Sequence, residues 1–138
     1  TGFPGETEEQ FNSMAEFIKE MQFDRLGAFA YSEEEGTKAA TFENQIDEEI
    51  RAHRADIIMQ QQQLISENKN QKKIGETLES VVEGFDKWGE CYFGRTQSDA
   101  PDIDGKIFFT SDRKLEIGQY VKVKITDSLD YDLIGEVI

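Results

Sequence analysis

An acidic loop is the densest group of candidate ligating side chains in the sequence. The segment RTQSDAPDIDG (95–105) places Asp99, Asp102 and Asp104 within six residues. Carboxylate oxygens at this density can coordinate a hard cation such as Ca²⁺, but their spacing does not follow the EF-hand loop pattern. Recognition of a basic partner, or plain exposure to solvent, therefore explains the loop better than a metal site.

Basic side chains are concentrated on one predicted strand near the end of the chain. In YVKVKI, polar residues alternate with apolar ones, so Lys122 and Lys124 project from the same face of a strand. Together with Arg95, Lys106 and Tyr92 they could form a strip that follows phosphates and stacks bases. The alternative is an ordinary solvated strand face beside core aromatic residues.

A short glycine-containing turn opens the chain. GFPGE (2–6) precedes a predicted helix. In parallel α/β folds, a turn in this position connects the carboxyl end of a strand to the next helix. Such turns commonly hold ligands, and the amino terminus of the following helix favours an anion. A plain strand-to-helix turn without a ligand fits the same spacing.

Residues for covalent or metal-assisted chemistry are scarce. The chain has one cysteine, Cys91, and one histidine, His53. A single cysteine excludes an intrachain disulfide, and one Cys with one His cannot assemble a metal cluster. No Ser/His/Asp set is supported either. We therefore expect a buried structural thiol, a surface histidine, and no catalytic or metal-binding residue.

Composition places the chain among acidic globular proteins. Its 138 residues carry 29 acidic and 15 basic side chains, for a net charge of −14. An acidic protein repels nucleic acid and attracts basic proteins at long range, although screening beyond about 8 Å lets a local basic patch act. No apolar run reaches the roughly 18 residues that span a membrane. No charged-then-apolar leader opens the chain, so we expect a cytoplasmic location without membrane contact.

The first part of the chain follows the rhythm turn, helix, strand, helix, which is typical of parallel α/β units. Thr7 and Gln10 form a capping box at the start of a helix predicted over 7–21. RLGAFAY (25–31) is predicted to be a short buried strand. A second helix is expected over 47–69, and the glutamine run inside it is expected to face solvent. Its predicted apolar side consists of Ile46, Ile50, Ile57, Ile58, Leu64 and Ile65.

From about residue 74 the apolar pattern changes to a period of two, which predicts strands. Five short strands in about 65 residues indicate a closed or nearly closed antiparallel barrel of the OB type. The strands are expected over 77–85, 90–95, 105–109, 120–125 and 131–138, with a hairpin turn at 86–89 between the first two. The predicted fold class is therefore α+β, with a helix–strand–helix unit in 1–70 followed by the barrel in 71–138. OB-type barrels commonly bind oligonucleotides across one face.

Two stretches of the sequence resemble one enzyme family. GFPGETEEQF followed by FDRLGAFAYSEEEGTKAA looks like the late part of a radical S-adenosylmethionine barrel of the methylthiotransferase family. GETLESVVEGF through YDLIGEVI looks like that family's TRAM domain. The resemblance covers nearly the whole chain in order. It implies that 1–70 is the carboxyl-terminal part of the α/β barrel, that 71–138 is the TRAM domain, and that an iron-bearing segment precedes them in a parent protein.

The motifs favour one branch of the family. The tRNA-modifying branch usually has Ser-Pro-Arg-Pro-Gly-Thr after the tyrosine of the sixth strand, whereas this chain has the acidic YSEEEGT (31–37). RTQSDAPDIDG and YDLIGE match the branch that modifies a ribosomal protein. The resemblance implies an enzyme that adds a methylthio group to the β-carbon of an aspartate on small-subunit ribosomal protein twelve. An OB-like RNA-binding module of a tRNA-modifying enzyme is the alternative.

The resemblance also implies cofactors and site residues. The family uses S-adenosylmethionine and two 4Fe-4S clusters, each held by three cysteine thiolates. With Cys91 alone, we expect this chain to bind neither cluster and to be inactive by itself. The residues expected near S-adenosylmethionine are Gly2, Phe3, Gly5, Glu6, Tyr31 and Ser32. The residues expected to contact the basic protein substrate are Asp99, Asp102, Asp104, Arg95, Lys122 and Lys124.

An apolar stripe on the first helix bears on association of the chain with itself. Phe11, Met14, Ile18 and Met21 recur at spacings of three and four. If their partner strands lie outside the chain, they leave exposed apolar surface, which usually causes association. We therefore expect residues 1–45 to pair with a second copy or to move freely, and the barrel to fold by itself.

Overall fold

The computed structural model describes all 138 residues, Thr1–Ile138, and divides into two compact units, Thr1–Ile65 and Ser66–Ile138. The elements in chain order are α1 (Glu8–Met21), a 3-10 turn (Ala39–Thr41), α2 (Glu48–Lys72), β1 (Thr77–Asp86), β2 (Cys91–Thr96), β3 (Ile107–Thr110), β4 (Tyr120–Ser128) and β5 (Leu133–Val137). Neither α1 nor α2 is both long enough and apolar enough to cross a lipid bilayer.

Helix α1 begins where the capping box predicts. The Thr7 hydroxyl accepts a hydrogen bond from the Gln10 amide at 3.2 Å, and the Gln10 side chain accepts one from the Thr7 amide at 3.0 Å. Glu8 and Glu9 lie in the first turn, where the helix dipole favours negative charge. The prediction of this helix and its cap is confirmed.

The apolar side of α1 packs inside the chain. Phe11 and Ile18 are buried in a cluster with Ile58 and Ile65 of α2. The expectation that this stripe needs strands from outside the chain is therefore wrong for its two buried members, because the long second helix supplies the contact. Met21, at the end of the stripe, is exposed.

The segment 25–31 is not a strand, although its sequence predicts one. The Thr1 ammonium donates to the Phe29 carbonyl at 2.8 Å, and the Tyr31 amide donates to the Thr1 carbonyl at 2.8 Å. Two bonds to a single residue do not make a ladder, because a strand requires a neighbour that continues alongside it. The segment is irregular, and Phe29 is 84% exposed rather than buried.

Helix α2 is longer than predicted and buries a different set of side chains. It begins after Asp47, whose carbonyl accepts from the Arg51 amide at 3.1 Å. Ile58 and Gln62 are each 1% exposed, whereas Leu64, predicted to be on the apolar side, is 60% exposed. The buried face passes through the glutamine run, so the expectation that this run faces solvent is wrong for Gln62.

The five predicted strands are present and close into a barrel in the order β1-β2-β3-β5-β4, with β4 pairing back to β1. Four neighbouring pairs are antiparallel, but β3 and β5 are parallel, with Phe109 opposite Gly135. The prediction of a purely antiparallel barrel is therefore wrong. A closed ring with an odd number of strands cannot alternate in direction throughout, so at least one neighbouring pair must be parallel.

The barrel interior is filled by apolar side chains that alternate with exposed ones along each strand. Val121, Val123 and Ile125 of β4 are buried, while Lys122 and Lys124 between them are exposed. The core cluster consists of Val82, Ile107, Phe109, Leu115, Val121, Val123, Ile125 and Leu133. Alternation with a period of two is the sequence signal for these strands, and the burial pattern of β4 confirms it.

Gly94 on β2 lets two strands approach closely. A Cβ at this position would lie 1.9 Å from the carbonyl oxygen of Val81 on β1. A β-bulge between Val82 and Gly84 interrupts the same strand pair. Glycine in a strand interior commonly marks such a close backbone approach.

Candidate functional site

The turn at the start of the chain is closed by its own hydrogen bonds. The Glu6 amide donates to the Phe3 carbonyl at 2.9 Å, and the Gly2 amide donates to the Glu6 carboxylate at 3.0 Å. The Gly5 amide donates to the Asn44 carbonyl at 3.0 Å. Gly2 and Gly5 have φ angles of 73° and 84°, which favour glycine. Glycine at both positions therefore has a structural reason that is independent of any ligand.

Two arginines of α2, which are not among the predicted site residues, hold this turn in place. Arg54 donates from Nη1 to the Glu6 carboxylate at 2.6 Å and to the Glu6 carbonyl at 3.1 Å. Arg51 donates from Nη1 to the Tyr31 carbonyl at 2.9 Å, and its side chain fills the space next to Gly2. Their spacing of three residues puts both on one side of the helix. That spacing is the one sequence signal of a shared role.

Aromatic contacts join the turn to Tyr31. The Phe3 ring packs edge-to-face on Tyr31 with the two centroids 5.3 Å apart. The Arg51 guanidinium lies 5.7 Å from the centroid of the Tyr31 ring. The Tyr31 hydroxyl and Arg51 Nε are buried and have no hydrogen-bond partner. Because unpaired buried donors are costly, these two groups fit a ligand that carries acceptor atoms.

The structure brings together most of the residues expected near S-adenosylmethionine, namely Gly2, Phe3, Gly5, Glu6 and Tyr31. Ser32 is exposed, and its hydroxyl donates to the Glu34 carboxylate at 3.3 Å. The hydrogen-bond partner of Ser32 therefore lies in the acidic segment 33–35 and not in the opening turn.

The three aspartates of the acidic loop have different roles in the fold. Asp99 is buried, and its carboxylate accepts from the Thr96 amide at 3.1 Å and from the Thr96 hydroxyl at 2.7 Å. Asp104 accepts from the Ala100 amide at 2.7 Å. Asp102 is exposed, with a left-handed φ of 60°. Asp99 is therefore not the exposed contact that its sequence predicts, because it satisfies donors that are themselves buried.

The basic strip predicted on β4 is flanked by acidic residues of both neighbouring strands. Lys122 lies opposite Glu79 of β1, and Lys124 lies opposite Glu136 of β5. Arg95 on β2 forms an ion pair with a glutamate of β1 at 2.8 Å. Each of these three cations therefore lies beside an acidic residue of a neighbouring strand, an arrangement that stabilises a sheet, and they do not form an isolated basic strip.

Two residues expected beside this strip lie elsewhere. Tyr92 stacks on Phe109 of the core with the centroids 6.2 Å apart, and its hydroxyl accepts from the Leu115 amide at 3.1 Å. It is therefore part of the core packing rather than a free stacking platform. Lys106 precedes β3, which does not neighbour β4, and its ammonium lies 4.8 Å from the centroid of the Phe93 ring.

A group of aromatic side chains around β1, β2 and β3 is absent from the predicted sites. This group, here named the aromatic face, consists of Phe85, Trp88, Phe93 and Phe108, which line a cavity of about 430 Å³ together with Asp86, Lys87 and Lys106. Trp88 is 96% exposed and lies in the turn between β1 and β2. One sequence signal points to it, a tryptophan in a predicted hairpin turn, where small and polar residues predominate.

Cys91 is a partly buried thiol at the start of β2. Burial, and to a lesser extent the Asp86 carboxylate, raise the pKa of this thiol above its ordinary value. It is therefore protonated at neutral pH and a weak nucleophile. His53 is exposed on α2. No group of three or more His, Cys, Asp or Glu side chains is placed to hold a metal ion.

Comparison with known proteins identifies the barrel and shows which proteins the whole chain is similar to. Residues 74–138 match the TRAM domain family, so the closed five-stranded barrel is a TRAM domain. Over 136 residues the chain is 51% identical to "Ribosomal protein uS12 methylthiotransferase RimO" of Clostridium botulinum (strain Hall) and 52% identical to that of Desulforamulus reducens. It is 49% identical over 137 residues to the protein of the same name in Clostridioides difficile (strain 630). Over nearly its whole length the chain is therefore similar to RimO-type methylthiotransferases, and the predicted resemblance is confirmed.

The alignments cover 98% or 99% of this chain but 30% or 31% of each relative. The chain thus spans about a third of the length of the curated relatives it matches.

Proposed function

We propose that the parent protein of this chain is a radical S-adenosylmethionine enzyme that adds a methylthio group to the β-carbon of an aspartate of uS12, the small-subunit ribosomal protein twelve. The identity of 51% to a uS12 methylthiotransferase over 99% of the chain carries this proposal. In it, residues 1–70 are the carboxyl-terminal part of the radical S-adenosylmethionine barrel, and 71–138 are the TRAM domain. The enzyme acts in the cytoplasm.

The hydrogen bonds of the first residue support the assignment of 1–70 to a parallel barrel. The Phe29 carbonyl accepts from the Thr1 nitrogen, and the Thr1 carbonyl accepts from the Tyr31 amide, both at 2.8 Å. Thr1 is thus bonded to Phe29 and to Tyr31, the two neighbours of residue 30. Bonding of one residue to both neighbours of the residue opposite it is the pattern of a parallel strand pair. The chain before α1 and the segment 29–31 thus run in the same direction, as adjacent strands of a parallel barrel do.

When bound to the parent enzyme, S-adenosylmethionine and a 4Fe-4S cluster would together supply the radical chemistry that removes hydrogen from an unactivated C–H bond. The two clusters of the parent each need three cysteine thiolates, and Cys91 alone holds neither, so this chain is inactive by itself. We assign Gly2, Phe3, Gly5, Glu6, Tyr31 and Ser32 to the S-adenosylmethionine site. The Tyr31 hydroxyl supports the assignment, because it is buried without a partner and can donate to an acceptor atom of the ligand.

The barrel guides the basic protein substrate in this proposal. Residues 71–138 carry 14 acidic and 9 basic side chains, a net charge of −5. Complementary charge raises the rate of encounter with a cationic protein and orients it. The proposed contacts from the predicted set are Asp102, Asp104, Arg95, Lys122 and Lys124. Asp99 is withdrawn from this set because its carboxylate is buried against Thr96.

Full-length enzyme with reconstituted clusters tests the proposal. Incubation with purified uS12, S-adenosylmethionine, sulfide and a reductant is expected to exchange one hydrogen of a uS12 aspartate for a methylthio group, detected by peptide mass spectrometry. Modification of tRNA in place of uS12 would assign the protein to the other branch.

A second experiment addresses the role of the barrel. Deletion of 71–138 from the full-length enzyme is expected to raise the KM for uS12 by about tenfold or more. Cleavage of S-adenosylmethionine in the absence of uS12 should continue. Loss of solubility with an unchanged affinity for uS12 would make the barrel a purely structural module.

A further inference from the structure

We propose that the aromatic face binds an arginine- or lysine-rich segment of the protein substrate, with Trp88 as the central contact. This inference rests on the proposed function, and it names the surface through which the barrel acts on its substrate.

Trp88 is presented on a fixed turn. Its amide donates to the Asp86 carboxylate at 2.9 Å, and Glu90 completes the turn with a left-handed φ of 50°. The indole is 96% exposed. A side chain whose backbone is already fixed loses less conformational entropy on binding than one on a loose loop. Tryptophan is also enriched among the residues that dominate binding energies at protein interfaces.

The aromatic face already accommodates one cation. The Lys106 ammonium lies 4.8 Å from the centroid of the Phe93 ring, and Phe108 lies opposite Phe93 in the register of β2 and β3. Aromatic ring faces attract Lys and Arg, and tryptophan does so most strongly. Lys106 already occupies the ring of Phe93. Trp88, which is the strongest cation acceptor of the group, therefore remains open to a cation from another molecule.

The apolar surface continues past the aromatic face. Phe85 borders both the cavity of that face and a second cavity of about 340 Å³. Leu115 and Ile117 line the second cavity, and Ile117 is 77% exposed. A peptide segment can therefore place an apolar side chain beside Ile117 and a basic side chain over Trp88.

Charge decides between a basic protein segment and single-stranded RNA. RNA also stacks on exposed aromatic rings, but it needs a positively charged groove for its phosphates. Two lysines, Lys87 and Lys106, line the face, and two acidic residues, Asp86 and Glu90, flank Trp88 in the sequence. The lining itself carries a single net positive charge, which does not amount to a phosphate groove, whereas the net charge of −14 of the chain attracts a cationic segment at long range.

The fluorescence of Trp88 gives a direct test, because it is the single tryptophan of the chain. Titration of the 138-residue chain with purified uS12, or with a synthetic arginine-rich peptide, is expected to shift the emission to shorter wavelength as the indole becomes buried. Trp88→Ala is expected to weaken uS12 binding, measured by calorimetry, by about tenfold or more. Trp88→Phe, which keeps an aromatic ring, should retain most of the affinity.

Tyr120→Ala is the matched control, because Tyr120 is 70% exposed on β4, outside the aromatic face. Its affinity for uS12 is expected to change by less than about twofold. We expect Trp88→Ala and Tyr120→Ala to fold normally, because both side chains are exposed. Circular dichroism verifies this.

The outcomes separate this inference from the proposed function. If the chain binds uS12 while Trp88→Ala binds equally well and the emission does not move, the aromatic face is not the contact, but substrate guidance stands. If the chain binds neither uS12 nor the peptide, both proposals fail. If polyuridylate shifts the emission, with an affinity that falls steeply with salt, and uS12 does not, the occupant is RNA and the inference is overturned.

Discussion

The barrel and the helical unit that precedes it satisfy their backbone polar groups in different ways. Every strand of the barrel has a hydrogen-bonded neighbour on both sides, whereas the segment 25–31 has two backbone bonds to Thr1. In the first unit, Arg51, Arg54 and Gln62 of α2 instead donate to carbonyls far away in the sequence. Buried backbone groups must be paired in either case. A closed sheet pairs its own, and an irregular unit recruits long polar side chains.

This difference locates the weak points of each unit. The barrel should be most sensitive to added atoms where strands approach closely, and the helical unit to removal of a side-chain donor. Amide hydrogen exchange reports the two units separately, because each amide reports the opening of its own region. The four substitutions below test the comparison.

Gly94→Ala is expected to have the largest effect. The new Cβ would lie 1.9 Å from the Val81 carbonyl oxygen, so β1 and β2 must separate. We expect the free energy of unfolding of the barrel to fall by about 4 kcal/mol or more, measured by urea denaturation. Gly27→Ala is the control, since the nearest atom to its Cβ is 3.7 Å away in the Phe29 ring. Equal losses for the two variants would contradict the crowding argument.

Arg54→Met should produce the largest loss in the helical unit. It leaves the Glu6 carboxylate without the partner at 2.6 Å, in a pair whose side chains are 12% and 16% exposed. Breaking a largely buried pair costs about 3 kcal/mol, so the Gly2 and Gly5 amides should exchange faster while barrel amides stay unchanged. Adding Glu6→Gln should recover part of the loss, because it removes the unpaired charge. Faster amide exchange throughout the barrel would contradict the expectation that the loss is confined to the helical unit.

Asp99→Ala tests whether the acidic loop of the barrel also depends on a side chain. The Thr96 amide and hydroxyl both lose their acceptor, and we expect a cost of about 2 kcal/mol in thermal unfolding. Asp102→Ala, at an exposed position of the same loop, should cost less than about 0.5 kcal/mol. Similar melting temperatures for the two variants would show that Asp99 does not hold the loop.

Gln62→Leu is expected to have the smallest effect of the four, about 1 kcal/mol. The Phe23 carbonyl loses its donor at 2.8 Å, but leucine regains part of the cost through apolar burial. Gln60→Leu is the control, because Gln60 is an exposed member of the same glutamine run. Amide exchange in α2 that is slower in Gln62→Leu than in the unmodified chain would show that the side-chain hydrogen bond is not needed there.

The barrel was predictable because its signals are local. Alternation with a period of two and the turn at 86–89 place all five strands within three residues of the observed bounds. The parallel pairing of β3 with β5 has no such signal, because strand direction depends on which distant strand closes the ring. The aromatic face escapes prediction for the same reason, since it is assembled from three strands.

The first unit was less predictable because its contacts are distant in sequence. Gln62 is buried against the carbonyl of Phe23, and Arg54 meets Glu6 across 48 residues. No local pattern contains these pairs. The glycines of the opening turn and Tyr31 indicate a site by their types, whereas the arginines that hold them do not.

The parallel pair has a consequence for how the barrel is completed during synthesis. Strand β5 inserts between β3 and β4, and both of those strands leave the ribosome before it. Until Leu133–Val137 emerges, each carries a row of unpaired backbone groups that can pair with another nascent chain. Strand β5 closes the sheet, so slow translation of β5 should promote aggregation more than slow translation of the four strands before it.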